Sequence, residues 1–332
     1  MRPLRPATSV LYIGGFSRSG STLLAYLLAN VDGFRPVGEL LELWTKGLVL
    51  DNLCSCGERF SACPFWTSVG ERAFGSWNRT NVDELAATSI ALATNARLVP
   101  ALLARGREPA RLTRFREHTV RVYRAISEVT GCSVIVDSSK GASYALLVAA
   151  DPEVRLRVIH LVRDSRGVVF SWTKQDIVKP DVEGGGATMD TYGTGATALR
   201  WSYHNVLFEF FRLRRIPLAT MRYEELVAAP AVELERSLRR VGLAADDVAR
   251  RTLASGSVSL GDAHTIGGNP MRFRGREQPV RLDDEWRRGV PSDVRRRVTM
   301  LTWPLLLRYG YLGTPIQGMM AKVTLPHRDV DS

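Results

Sequence analysis

The segment from Val10 to Thr22, Val-Leu-Tyr-Ile-Gly-Gly-Phe-Ser-Arg-Ser-Gly-Ser-Thr, constrains this chain more than any other. A short apolar run enters a polar turn bounded by Gly15 and Gly20, and a helical pattern follows. A strand feeding a glycine-bounded turn and then a helix aims backbone N–H groups and a helix N-terminus at an anion. The spacing is Gly15, four residues, Gly20, then Ser21 and Thr22, almost that of the phosphate loop of nucleotide hydrolases and kinases. Those loops place lysine directly after the second glycine, where it reaches the β- and γ-phosphates. Ser21 stands there instead, and the loop's only cation is Arg18. The segment reads as a phosphate loop adapted to a donor other than a triphosphate.

Three more apolar, β-branched runs, 133–137, 156–162 and 216–221, join 10–15 as predicted buried strands. Helical patterns lie between them at 20–30, 83–105, 110–129, 140–150, 166–175 and 197–213. Strands alternating with helices predict an α/β fold whose central parallel sheet is flanked by helices on both faces. With 332 residues, 45% of them hydrophobic, the chain can bury a large core. No linker cuts it, so 1–332 reads as a single domain. Residues 44–130 form a helical, cysteine-containing insertion, 180–195 a glycine-rich loop, and about 292–309 a last helix before a weakly ordered tail, 313–332.

The net charge of +11 suits a polyanionic ligand. Its arginines cluster in helical stretches such as 105–124, which reads as solvated helix face. No basic–aromatic repeat accompanies them, so no nucleic-acid partner is expected. No apolar run approaches a membrane span or a signal-peptide core, and the expectation is a soluble, cytoplasmic protein. Four cysteines fit a reducing compartment. Cys54, Cys56 and Cys63 would need a histidine or Cys132 to complete a zinc site, and their spacing is not a pair of C-x2-C pairs. Free thiols or one disulfide is the reading, with no metal assigned.

Ligands of open α/β sheets sit beyond the carboxyl ends of the strands. The second predicted strand ends in Asp137-Ser138-Ser139-Lys140, and the third in Arg163-Asp164-Ser165-Arg166, with Ser171 eight residues after Arg163. With Arg18, each of these ends supplies a cation and hydroxyls, which describes a pocket for a multiply phosphorylated small molecule. Blander roles stay open. Arg163 and Asp164 could form a local ion pair, Ser138 and Ser139 could cap a helix, and Glu39 could be a helix-start carboxylate.

Arg18-Ser-Gly-Ser-Thr22, Gly38-Glu39, Asp137-Ser-Ser-Lys140 and Arg163-Asp-x-Arg166 with Ser171 together resemble the sulfotransferases that use 3′-phosphoadenosine 5′-phosphosulfate (PAPS). The similarity is to the bacterial branch nearest the tyrosylprotein sulfotransferases. It extends over roughly residues 9 to 312, through Tyr223-Glu-Glu-Leu226 and Gly268-Asn-Pro-Met-Arg-Phe273. The resemblance implies a three-layer fold like that of P-loop NTPases, and PAPS as co-substrate with no metal required. Arg18, Ser19, Gly20, Ser21 and Thr22 would hold the 5′-phosphosulfate, and Arg163 and Ser171 the 3′-phosphate. Lys140 would neutralise the bridging oxygen, and Glu39 would be the general base, with Glu42 a competitor. Tyr223, Asn269 and Arg272 would reach the nucleotide, although the cytosolic enzymes carry an Arg-Lys-Gly pattern where this chain does not. His264 could line the donor site, whereas His160, inside an apolar strand, reads as core. The acceptor could be a sugar, phenol, lipid or peptide, and nothing sets the oligomeric state. A P-loop kinase would need the missing Gly-Lys-Ser/Thr triplet. A non-catalytic nucleotide- or RNA-binding protein would need no base at Glu39.

Overall fold

The computed structural model describes residues 7–94, 109–173, 192–244, 257–259, 263–268, 270–273 and 277–312. Five strands make a parallel sheet: β1 (Thr8–Gly14), β2 (Phe34–Gly38), β3 (Val134–Lys140), β4 (Val154–Val162) and β5 (Leu218–Arg222). Their order is β2-β3-β1-β4-β5. A two-stranded antiparallel pair, β6 (Ser257–Ser259) and β7 (Glu277–Pro279), lies apart from it.

Side chains alternate across a strand, and β1 is buried on both faces. Val10 and Tyr12 enter one apolar cluster and Leu11 and Ile13 the other. Helices α1 (Ser21–Ala29), α2 (Pro64–Phe74), α3 (Val82–Thr94), α4 (Ala110–Thr130) and α5 (Ala142–Ala149) precede β4. After it come α6 (Ser165–Thr173), α7 (Thr194–Glu209), α8 (Tyr223–Ala228), α9 (Pro230–Arg240), α10 (Trp286–Gly289) and α11 (Ser292–Arg308). Leu24 and Leu28 of α1 pack with Leu226, Leu234 and Leu238 of α8 and α9 on the Leu11 face. On the Tyr12 face, Trp66, Leu85, Phe115 and Tyr144 from α2, α3, α4 and α5 share one cluster with Trp44 and Phe60. The result is the expected three-layer α/β arrangement.

Several boundaries differ from the sequence reading. The edge strand β2 was not among the predicted strands, because Pro36 removes a ladder donor and masks the pattern. Strand β3 continues through Ser138, Ser139 and Lys140, so neither serine caps a helix; α5 starts after Gly141, with no side-chain cap. The predicted helix 83–105 is described only as α3. Its remainder, the glycine-rich stretch up to 191, Asn269 and the tail 313–332 lie outside the described residues. Among the described residues, no helix is long and apolar enough to cross a membrane.

The chain leaves β1 toward β2 on one side and leaves β4 toward β5 on the other. Neighbouring strands whose connections diverge open a crevice at their carboxyl ends. That crevice lies between the loop after β1 and the residues after β4.

His160, on β4, is wholly buried, stacks on Phe208 and places Nε2 2.8 Å from Asn205 Oδ1. Burial pushes its imidazole down from 6.5 to about 4. The unfolded chain takes up this proton near 6.5 and the native state only near 4, so stability falls as pH drops through that window. Urea melts should show a loss of roughly 3 kcal/mol from this group. His160→Phe should remove that share of the pH slope; an unchanged slope would contradict the assignment.

Candidate active site

The loop from Gly15 to Gly20 joins β1 to α1. Gly20 has φ 96°, and a Cβ there would stand 2.5 Å from the Tyr223 ring, so the loop and α8 close on each other only around glycine. Arg18 is also left-handed, with φ 66°. Its guanidinium lies 5.0 Å above the Trp172 ring of α6, and its carbonyl accepts a 3.3 Å hydrogen bond from Arg163 Nη1. The Ser19 hydroxyl is buried and has no hydrogen-bond partner among the described residues. An unmatched donor inside a glycine-bounded turn suits a ligand rich in acceptor oxygens.

Arg163 follows β4 and is nearly buried. Its Nη2 donates to the Asp283 carbonyl at 2.8 Å and pairs with Asp283 Oδ2 at 3.1 Å. The guanidinium also rests 4.7 Å above the Tyr223 ring. The local pair with Asp164 does not form. Asp164 instead accepts from the backbone N–H of Arg166 at 2.9 Å, capping α6, and pairs with the Arg166 side chain at 2.6 Å. The Tyr223 hydroxyl faces the backbone of Arg281 and Asp283. Ser171 is half-buried on α6, next to Trp172, whose ring carries Arg18.

Lys140 ends β3 opposite Gly14, and its carbonyl accepts a 3.4 Å bond from Gly15 N–H. Its backbone is left-handed, φ 66°, and Nζ forms an ion pair with Glu39 Oε1. Burial works to raise the Glu39 pKa, but the positive charges of Lys140, Lys46 and Arg272 outweigh it and hold the carboxyl below its ordinary value. For Glu42, burial and the neighbouring Glu39 charge push the pKa up, although Lys46 Nζ lies 2.6 Å away. Of the two acids, Glu39 is the better-stabilised carboxylate.

Glu39 is held from behind. Asp137, fully buried, accepts from Ser139 N–H at 2.8 Å, Ser139 Oγ at 2.5 Å, Tyr123 Oη at 2.5 Å and Leu40 N–H at 3.4 Å. Ser139 Oγ in turn accepts from Leu41 N–H at 2.9 Å. The Glu39 N–H donates to the Ile266 carbonyl at 2.8 Å, and a Cβ on Gly38, φ 82°, would collide with the Ile266 backbone. Thr22, Tyr26, Gly38, Ser138, Gly268 and Arg272 line a cleft that opens to solvent. Arg272 donates to the Thr265 carbonyl at 2.7 Å.

The structure thus brings Arg18, Ser19, Arg163 and Tyr223 together around the crevice between β1 and β4, and Glu39 and Lys140 together at the ends of β2 and β3. Thr22, on α1, shares the cleft with Arg272. His264 is not among them: its Nδ1 lies 3.3 Å from Cys63 Sγ. Asp283, Trp172 and Tyr123 escaped the sequence reading. Asp283 and Tyr123 sit in no recognisable motif, and Trp172 is signalled only by following Ser171.

No family model matches the chain, and no curated protein does. Solved structures similar to it include the sulfotransferase domain of the Synechococcus PCC 7002 olefin synthase, at 17% identity and TM-score 0.48, covering 95% of this chain and 99% of that one. Another is the sulfotransferase domain from the curacin biosynthetic pathway, at 17% identity and TM-score 0.48, covering 90% and 99%. A third is the sulfotransferase STF9 from Mycobacterium avium, at 13% identity and TM-score 0.43, covering 76% and 68%. At such identities and TM-scores, function has to be argued from the residues themselves.

Ser139→Ala would leave the buried Leu41 amide without its acceptor and remove one of the three donors on Asp137 Oδ1. A cost of about 1–3 kcal/mol is expected in urea unfolding. A change within error would show that the knot around Asp137 does not hold this edge.

Proposed function

We propose that this chain is a sulfotransferase that moves a sulfuryl group from PAPS to an acceptor hydroxyl. The observation that carries the reading is the company of Glu39: an ionised, nearly buried carboxylate paired with Lys140 beside a phosphate-type loop whose cation is Arg18. A triphosphate enzyme would show lysine at position 21, and this chain has serine. A pure nucleotide binder would have no use for a carboxylate held ionised at the mouth of that loop.

The acceptor oxygen attacks sulfur in line, the bond from sulfur to the bridging oxygen breaks, and that electron pair leaves on the 5′-phosphate. Glu39 takes the acceptor's proton. Its carboxylate is then neutral and holds Lys140 less strongly, so the ammonium charge becomes available to the departing oxygen. Arg18, Ser19, Gly20, Ser21 and Thr22 bind the phosphosulfate, and fixed cations stabilise the developing charge. Arg163 and Ser171 bind the 3′-phosphate, with Tyr223, Asn269 and Arg272 completing the nucleotide site. For the 3′-phosphate to reach Arg163, it must compete with Asp283. The acceptor is a small molecule, carbohydrate, lipid or peptide bearing a hydroxyl.

Adenosine 3′,5′-bisphosphate at a hundred times its Kd should stabilise the fold by about 2.7 kcal/mol, whereas ATP with magnesium should not. Glu39→Gln should lower turnover by about 10²-fold or more while the bisphosphate still binds. Near-normal turnover would move the base elsewhere, and preference for ATP would favour a kinase.

Arg163→Ala should weaken bisphosphate binding, and Asp283→Asn should strengthen it by roughly two- to fivefold by freeing the guanidinium. Calorimetric titration reads both. If neither variant changes the Kd, Arg163 does not hold the 3′-phosphate.

A further inference from the structure

Cys54, Cys56, Cys63 and His264 place one ligand atom each within 4.8 Å of all the others. Three separations are resolved: Cys56 Sγ to Cys63 Sγ is 3.7 Å, Cys54 Sγ to His264 Nδ1 is 3.7 Å, and Cys63 Sγ to His264 Nδ1 is 3.3 Å. A tetrahedron of Zn–S bonds near 2.3 Å and Zn–N bonds near 2.05 Å has S–S edges of about 3.75 Å and S–N edges of about 3.55 Å. These three of the six edges agree within about 0.3 Å. A Cys56–Cys63 disulfide would require about 2.05 Å between the sulfurs.

We propose that these four side chains form a structural zinc site, with three thiolates and the His264 Nδ1 as ligands. Three thiols lose their protons on binding and the imidazole binds neutral, which leaves the centre with a formal charge of −1. Three sulfurs and one imidazole in tetrahedral array select zinc, and four protein ligands leave no open position for chemistry.

Burial pushes the Cys54 and Cys63 thiols up, and the backbone N–H groups of Cys56 and Trp66 oppose it only in part. Cys63 also immediately precedes α2, whose N-terminus favours negative charge. Gly57, with φ 94°, turns the chain so that Cys54 N–H meets the Glu58 carbonyl at 2.8 Å. Cys54 and Cys63 are fully buried, which argues against a reactive nucleophile. His264 stacks on Phe65, with ring centroids 5.0 Å apart, and this fixes the plane of the imidazole. Cys132, the other possible fourth ligand from sequence, lies outside the cluster.

The test uses the full chain, expressed with zinc in the medium and purified under reducing conditions without chelator. Elemental analysis should find about one zinc per chain. Cys63→Ser and His264→Ala should each lose most of it, and Cys132→Ser should keep it. Because ligand variants can misfold, the wild-type protein is also stripped and titrated with cobalt(II). A thiolate-to-cobalt charge-transfer band with intense tetrahedral d–d bands is expected, and stoichiometric zinc should bleach it. Folded wild-type protein with less than about one zinc per ten chains, or zinc retained by both ligand variants, would overturn the site. So would an intact-mass loss of two hydrogens that marks a disulfide. None of these readouts depends on sulfuryl transfer, so the zinc site and the proposed activity fail separately.

Discussion

The Asp137 carboxylate lies within β3, the strand beside β1, with no exposure to solvent. Burial alone pushes its pKa up, and such a group is tolerated only when donors surround it. Two donors come from Ser139, one from Tyr123 on α4, and one from the Leu40 amide just past β2. Satisfying this one carboxylate therefore pins the exit of β2 against the exit of β3. Glu39 directly precedes Leu40, and Lys140 directly follows Ser139. Their ion pair is a consequence of the knot, and it could not form if either strand left the sheet a residue earlier.

Among the described residues four non-glycine residues are left-handed, and two of them stand at the carboxyl ends of β1 and β3. Arg18 and Lys140 are non-glycine residues in the left-handed region, both at φ 66°. Such conformations cost of order 1 kcal/mol or more and persist where the surroundings determine them. Arg18 is held by the Arg163 bond to its carbonyl and by the Trp172 face. Lys140 is held by Gly15 N–H and by Glu39. Each of these strained residues thus carries a cation held at the carboxyl end of the sheet, Arg18 on the Trp172 ring and Lys140 on the Glu39 carboxylate.

Much of this was legible from local pattern. Four of the five sheet strands announce themselves as short apolar runs, and the glycine spacing marks the loop after β1. The polar clusters put Arg18 just past β1, Lys140 at the end of β3 and Arg163 just past β4. What stayed hidden depends on long-range contact. β2 is a five-residue edge strand interrupted by Pro36, so its pattern is too short to read. Ser138 and Ser139 look identical to helix caps until the partner across the sheet is known. Asp283 stands 120 residues from Arg163, and His264 stands 201 from Cys63. Local pattern therefore offered three thiols without their fourth partner, and an arginine without the carboxylate that competes for it.

The cysteine–histidine cluster bears on the crevice through one strip of backbone, residues 263–268. At its near end Ser55 bonds both Ala263 and Thr265, beside His264 and the cysteine turn. One residue on, Ile266 bridges Val37 and Glu39. Gly267 and Gly268, left-handed at φ 68° and 88°, then pass against the Glu42 and Glu39 side chains, and Arg272 turns back onto the Thr265 carbonyl. The strip has no helix and only an isolated bridge of its own, so its contacts with the cysteine turn, β2 and Glu39 set its position. A carboxylate acting as base must stand within about 3 Å of the proton it removes, a tolerance much smaller than the drift of an untethered loop. The proposed zinc site would fasten the strip at His264 and so add a second hold, beside the Asp137 knot, on where Glu39 and Arg272 stand, without touching the ligand.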